Sequence, residues 1–146
     1  MKEAREPSPA ELGILIKATQ AVLNQRMDEA LRPLGLTVAQ YASLRNLHIE
    51  PGITSSDLAR QSFVSRQSMN VLLQGLEKAG LVARSKDAGH RREKATHLTG
   101  KAEELLAEAE SKIQEVTNRM TSSLDTKQRS DLFALLEACG AALVEE

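Results

Sequence analysis

The chain has 146 residues and a formal net charge of −1, with 41% hydrophobic, 27% charged and only 2% aromatic residues. That length suits one domain spanning 1–146 with a sizeable core, and the composition excludes gross disorder and favours helices over an aromatic-rich β-sandwich. No apolar run approaches the ~20 residues of a membrane span. The start MKEAREPSPAELG lacks a signal-peptide core, and one cysteine fits a reducing, cytoplasmic setting.

Residues 1–9 read as a loose tail. Leu12, Leu15, Ala18, Thr19, Val22 and Leu23 recur at helical spacing and lead towards Met27 and Leu31, so a helix is expected over 10–32. Arg32-Pro33-Leu34-Gly35 breaks it. Thr37 and Gln40 then form a capping box, opening a short helix that carries Tyr41, Leu44 and Leu47 on one side. After the Pro51-Gly52 turn, Thr54 caps a helix of about 55–61, with Asp57 suited to its positive end and Leu58 and Ala59 facing inward. A turn at 62–64 leads to Ser65, the N-cap of a helix reaching Ala79, with Gly80 at its left-handed end. Residues 81–83 and 95–98 read as two strands around the turn at 87–90.

Thr99 opens a long helix with apolar residues at Leu106, Ala109, Ile113, Val116, Met120 and Leu124, close to a heptad seam. Asp125 to Gln128 starts another, with Leu132, Leu136, Cys139 and Leu143 stepping by 4, 3 and 4. Seams at both ends of the chain, 10–32 and 100–146, need partners, and a second copy of the chain supplies them.

The helix of 65–79 has two faces. At 100° per residue Met69, Leu72, Leu73 and Leu76 cluster inward, while Gln67, Asn70, Val71, Gln74 and Lys78 lie opposite. Outward amides near a helix N-terminus pair bidentately with adenine, an arginine such as Arg66 pairs with guanine, and Val71 fits a thymine methyl. Thr54, Ser65, Ser68 and the first-turn N–H groups suit phosphates. A plain solvated face would also be polar, so the adjoining charge decides. Residues 54–99 hold eight Lys/Arg against four Asp/Glu, inside an acidic frame. Arg84, Lys86, Arg91, Arg92 and Lys94 crowd one short hairpin, which repels itself unless an anion neutralises it. A helix for the major groove with a basic arm beside it is a double-stranded DNA-binding arrangement.

On these residues the chain resembles the MarR family of winged helix-turn-helix regulators. The match runs through Leu36-Thr37-Val38-Ala39-Gln40-Tyr41-Ala42-Ser43-Leu44, Ser56-Asp57-Leu58-Ala59 and Val64-Ser65-Arg66-Gln67-Ser68. It continues through Leu76-Glu77-Lys78-Ala79-Gly80-Leu81-Val82-Ala83-Arg84, Arg91-Arg92 and Leu98-Thr99. The resemblance implies a mainly α fold with a two-stranded β wing, a DNA-binding lobe over 37–99 and a homodimer joined by the terminal helices. It implies a repressor on a pseudo-palindromic operator, released by a small aromatic or anionic effector held near Leu15, Thr19, Tyr41, Leu44 and Arg45. Many members carry Asp-Arg-Arg before the second wing strand, where this chain has His90-Arg91-Arg92; a histidine cannot hold an arginine as an acid does, and Asp87 is the substitute within reach.

Two alternatives stay open: a redox-responsive repressor acting through Cys139, and a protein-interaction adaptor that keeps the fold without DNA binding. Cys139 lies on an apolar seam, where a buried thiol is an ordinary, unreactive core residue. His48, His90 and His97 are dispersed, and no nucleophile, acid–base pair or phosphate loop is assembled, so neither metal, cofactor nor catalysis is expected.

Overall fold

The computed structural model describes residues 5–62, 64–84 and 95–144. The helices are α1 (Pro9–Leu31), α2 (Val38–Ile49), α3 (Ser55–Gln61), α4 (Arg66–Lys78), α5 (Gly100–Met120) and α6 (Thr126–Val144). Strands β1 (Val82–Arg84) and β2 (Thr96–Leu98) pair antiparallel, with Val82 opposite Leu98 and Arg84 opposite Thr96. This is the expected mainly helical fold with a two-stranded sheet.

Local chemistry sets most boundaries. Thr37 and Gln40 exchange the two bonds of a capping box, and Thr54 Oγ1 and Ser65 Oγ accept from Asp57 N–H and Ser68 N–H. Asp125 and Gln128 exchange the same reciprocal pair at the start of α6. At the end of α4, Gly80 adopts φ +76°, Leu81 N–H reaches Leu76 O at 2.9 Å and Gly80 N–H reaches Glu77 O at 3.0 Å. Those two bonds are a Schellman cap, and the fully buried Leu76 lies beneath the buried Leu81. Gly52 also has positive φ, and a Cβ there would lie 3.3 Å from the His97 ring, so the turn and β2 fit closely only around glycine.

Among the described residues the core runs through α2, α3, α4 and β1 and into α5. Leu44 and Leu47 of α2, Leu58 of α3, Leu73 and Leu76 of α4, and Leu106 and Ala109 of α5 all sit essentially out of water. The apolar seam of α5 is therefore divided. Leu106, Ala109 and Ile113 are buried against the same chain, while Met120 is left open. Heptad spacing states that a partner exists without stating which chain provides it.

Other differences from expectation are local. The N-terminal segment is not a tail throughout: Ser8 and Glu11 form a capping box, Pro9 occupies the first helical turn, and Arg5 pairs with Glu11. Leu81 precedes the first strand, which extends to Arg84 instead. Ala95 makes an isolated bridge to Thr54, and Thr96 exchanges backbone bonds with Ile53 and Gly52, tying the start of β2 to the segment before α3. Cys139 is exposed rather than buried, as is every described residue of α6. No helix among the described residues is long and apolar enough to cross a membrane.

One junction ties α4 to α5. Thr99 Oγ1 accepts from Ala102 N–H, capping α5, and donates to Gly80 O at 2.7 Å; Lys101 Nζ donates to Ala79 O at 3.1 Å. The carbonyls just past the end of α4 are thus satisfied by the N-cap and first turn of α5. Thr99→Val keeps the shape and removes both hydroxyl bonds. It is expected to lower unfolding stability by about 1–2 kcal/mol, read as a fall in denaturation midpoint at unchanged slope.

Candidate nucleic-acid interface

Helix α4 is held by its inner face. Met69, Leu73 and Leu76 are at most 1% exposed and Leu72 is half-buried, each fully buried side chain contributing about 1.5–3 kcal/mol. The opposite face, Gln67, Asn70, Val71, Gln74 and Lys78, is exposed along its length. Val71, at 65% exposure, is an aliphatic side chain with no core to enter. The structure therefore brings the five outward residues of the expected reading face onto one side of one helix, with Arg66 and Ser68 exposed in its first turn.

The two caps beside this face already have structural work. Ser65 Oγ accepts from Ser68 N–H at 3.0 Å and donates to Ser68 Oγ at 2.9 Å, while half-buried Thr54 holds α3. An open cleft of about 510 Å³ lies between the helices, lined by Ser56, Asp57, Ala59, Arg60, Val64, Ser65 and Arg66. Arg60 is paired with Asp57 at 3.4 Å across one turn of α3.

Arg84 departs from its expected place in the basic arm. Its side chain is only 19% exposed, and its Nε lies 3.7 Å from Glu77 Oε2. The reason is strand alternation. Val82 points into the core, so Arg84, two residues on, points the same way. Lys86, Arg91, Arg92 and Lys94, together with His90 and Asp87, lie outside the described residues.

The five residues expected near an effector do not form one site. Tyr41 and Arg45 line an open cleft of about 500 Å³ with Met27, Glu110, Ile113, Gln114 and Thr117. Arg45 Nε lies 3.6 Å from Glu110 Oε1. Burial, then the nearby Glu110 charge, push the Tyr41 hydroxyl above its ordinary range, opposed by Arg45, so it is a neutral donor at physiological pH. Leu44 is fully buried in the core and does not line this cleft, because it faces inward from α2 beside Leu47. Thr19 belongs to a second, more apolar cleft of about 540 Å³ between α1 and α5, with Val22, Leu23, Arg26, Val116, Arg119 and Met120. Leu15 is 61% exposed on α1 and lines neither. Glu110 and Gln114 were not expected from sequence; they sit one helical turn apart on α5 among residues otherwise read as a dimer seam.

The terminal helices carry a concentration of exposed apolar side chains. Leu12, Ile14, Leu15, Ile16 and Val22 lie on α1, and Leu132, Phe133, Leu135, Leu136, Leu143 and Val144 on α6. Apolar surface gathered this way marks an association site.

Comparison with known proteins agrees with this arrangement. The sequence profile of the MarR family matches residues 34–93. The HTH-type transcriptional repressor Rv2887 of Mycobacterium tuberculosis is 36% identical over 132 residues, covering 90% of this chain and 95% of that protein. A solved complex of the M. tuberculosis MarR family protein Rv2887 with DNA matches with a TM-score of 0.73 at 34% identity, over 92% of this chain and 99% of that one. Its complex with salicylic acid matches with a TM-score of 0.71 at 34% identity, over 92% and 98%.

Proposed function

The chain belongs to the MarR family of transcriptional regulators, and from that premise we propose that it is a homodimeric repressor binding a pseudo-palindromic DNA operator and releasing it when a small aromatic or anionic molecule binds. The observation that carries the reading is α4: its inner face is sealed into the core while Gln67, Asn70, Val71 and Gln74 stand open together. Rv2887 has been solved with DNA and with salicylic acid, and this chain spans nearly all of that relative.

In this reading Gln67, Asn70 and Gln74 read base edges in the major groove, and Val71 meets a thymine methyl. Arg66 pairs with guanine, while Ser65, Ser68 and Thr54 set the register on phosphates. The basic residues Lys86, Arg91, Arg92 and Lys94 supply affinity at the flanking minor groove. The exposed apolar faces of α1 and α6 join two copies, placing the recognition helices about one helical turn of DNA apart. The effector enters the cleft of Tyr41 and Arg45, where a neutral phenol and a guanidinium present donors to an anion. It shifts the protein only by binding better to the geometry whose helices are mis-spaced for DNA. The protein acts by binding and not by turnover.

A footprint on the DNA flanking the protein's own gene, repeated over a salt series, tests the reading. A protected inverted repeat whose affinity falls steeply with salt is the expected result. Gln67→Ala and Asn70→Ala are expected to change base preference at single positions by about 1–3 kcal/mol. An equal loss on every sequence from both variants would place the recognition helix wrongly.

A further inference from the structure

We propose that Glu77 is a positioning residue for DNA binding: it grips Arg84 and so fixes the two-stranded sheet against the end of the recognition helix. The inference rests on the DNA-binding reading above, and it reassigns Arg84 from DNA contact to structural anchor.

Three observations lead there. Among the described residues, Arg84 Nε and Nη2 are buried without a hydrogen-bond partner, and the Glu77 carboxylate at 3.7 Å is the only ion-pair partner of Arg84. A guanidinium withdrawn from water needs a compensating charge close by. Second, the residue opposite Arg84 in the sheet is Thr96, which is fully buried, and its Oγ1 is likewise without a partner. The cation therefore has no neutral acceptor in its strand partner to lean on, and the carboxylate is what balances it. Third, Glu77 is badly placed for any local purpose. It sits in the last turn of α4, at the negative end of the helix dipole, in a lobe that faces a polyanion. Both fields disfavour an acid at this position; Arg84 favours it.

The consequence is geometric. The recognition helix and the sheet are joined by only three residues, Ala79, Gly80 and Leu81. That turn contains the glycine at φ +76°. A tie between Glu77 and Arg84 closes the turn from outside and sets the angle between α4 and the strands. Residues 85–94, which follow Arg84 in sequence, include Lys86, Arg91, Arg92 and Lys94. Presetting that angle lets both sets of DNA contacts form together, which lowers the ordering cost of binding.

The sign of the effect separates this role from simple electrostatics. Removing an acid near phosphates strengthens binding if the acid only repels them; removing one that positions the sheet weakens it. Glu77→Gln, in the full-length protein, is expected to weaken affinity for the operator found by footprinting about tenfold at unchanged salt slope. Exchanging the pair, Glu77→Arg with Arg84→Glu, is expected to recover part of that loss, and Glu77→Gln should lower the melting temperature by a few degrees while leaving the protein folded at the temperature of the binding assay. In the DNA-free protein, the Arg84 Nε–H proton should exchange slowly by NMR and lose that protection in Glu77→Gln. Stronger or unchanged DNA binding by Glu77→Gln overturns the proposal. So does a salt slope reduced by about one in Arg84→Met, since that would make Arg84 a phosphate contact. A wild-type protein that binds no DNA while its Nε–H is protected only when Glu77 is present would sink the repressor reading and leave the ion pair standing.

Discussion

Leu136→Asp on α6 is expected to convert the protein to a monomer with a folded DNA-binding lobe and to lower operator affinity by about 10²–10⁴-fold. Leu136 is 45% exposed in the single chain and lies on the seam with Leu132, Cys139 and Leu143. None of these residues enters the core, which ends on α5. The substitution therefore removes nothing from within one subunit. In a dimer, however, it places a carboxylate in an apolar contact with no partner cation, at a cost of several kcal/mol. Operator binding suffers because two half-sites held by one dimer are an avidity effect, and separating the lobes forfeits the effective concentration of the second. Sedimentation gives the mass, circular dichroism the fold, and a gel shift the affinity. A variant that stays dimeric and binds with native affinity would mean that α6 is not the interface.

The same helix shows where sequence reading stops. The caps at Thr37, Thr54, Ser65 and Asp125 and the glycine at Gly80 were all legible, because each is a contact within a few residues. Ser8 uses the same pattern, with Glu11 three residues on, but lies in a polar, proline-containing stretch that also reads as tail. What escaped was non-local. The bridge from Thr54 to Ala95 joins residues far apart in the chain and leaves no periodic trace. The three-residue strands are too short for alternation to fix their ends.

The sites divide along the same line. The outward face of α4 was legible because helix geometry alone sorts its residues into two sides. The inward turn of Arg84 depended on strand boundaries one residue different from those expected. Leu44 and Arg45 are sequence neighbours, yet one is core and the other lines a cleft with Glu110 of α5. Only the packing of α2 on α5 separates them. Cys139 was assigned to a buried seam, whereas among the described residues it stands exposed.

Leu73→Ala and Val71→Ala, two positions apart on α4, together test the rotational phase of the recognition helix. Leu73 is fully buried with Met69 and Leu76 beside it, whereas Val71 is 65% exposed. Truncating Leu73 loses its transfer free energy and leaves a cavity behind the helix, so a destabilisation of about 2–5 kcal/mol is expected. Val71→Ala removes two methyl groups that touch no core, and alanine is the better helix former, so its stability should stay within about 0.5 kcal/mol of wild type. DNA binding should show the reverse pattern in kind. At temperatures where Leu73→Ala remains folded, it should lose affinity on all sequences alike, because a helix resting on a cavity no longer holds its outward residues at a fixed depth. Val71→Ala should lose discrimination at one base pair, where a thymine methyl would otherwise pack. Urea denaturation separates the stability effects, with unchanged slope expected for both. Comparable destabilisation by the two substitutions would mean that Val71 faces the core, and the entire outward set, Gln67, Asn70 and Gln74 with it, would have to rotate.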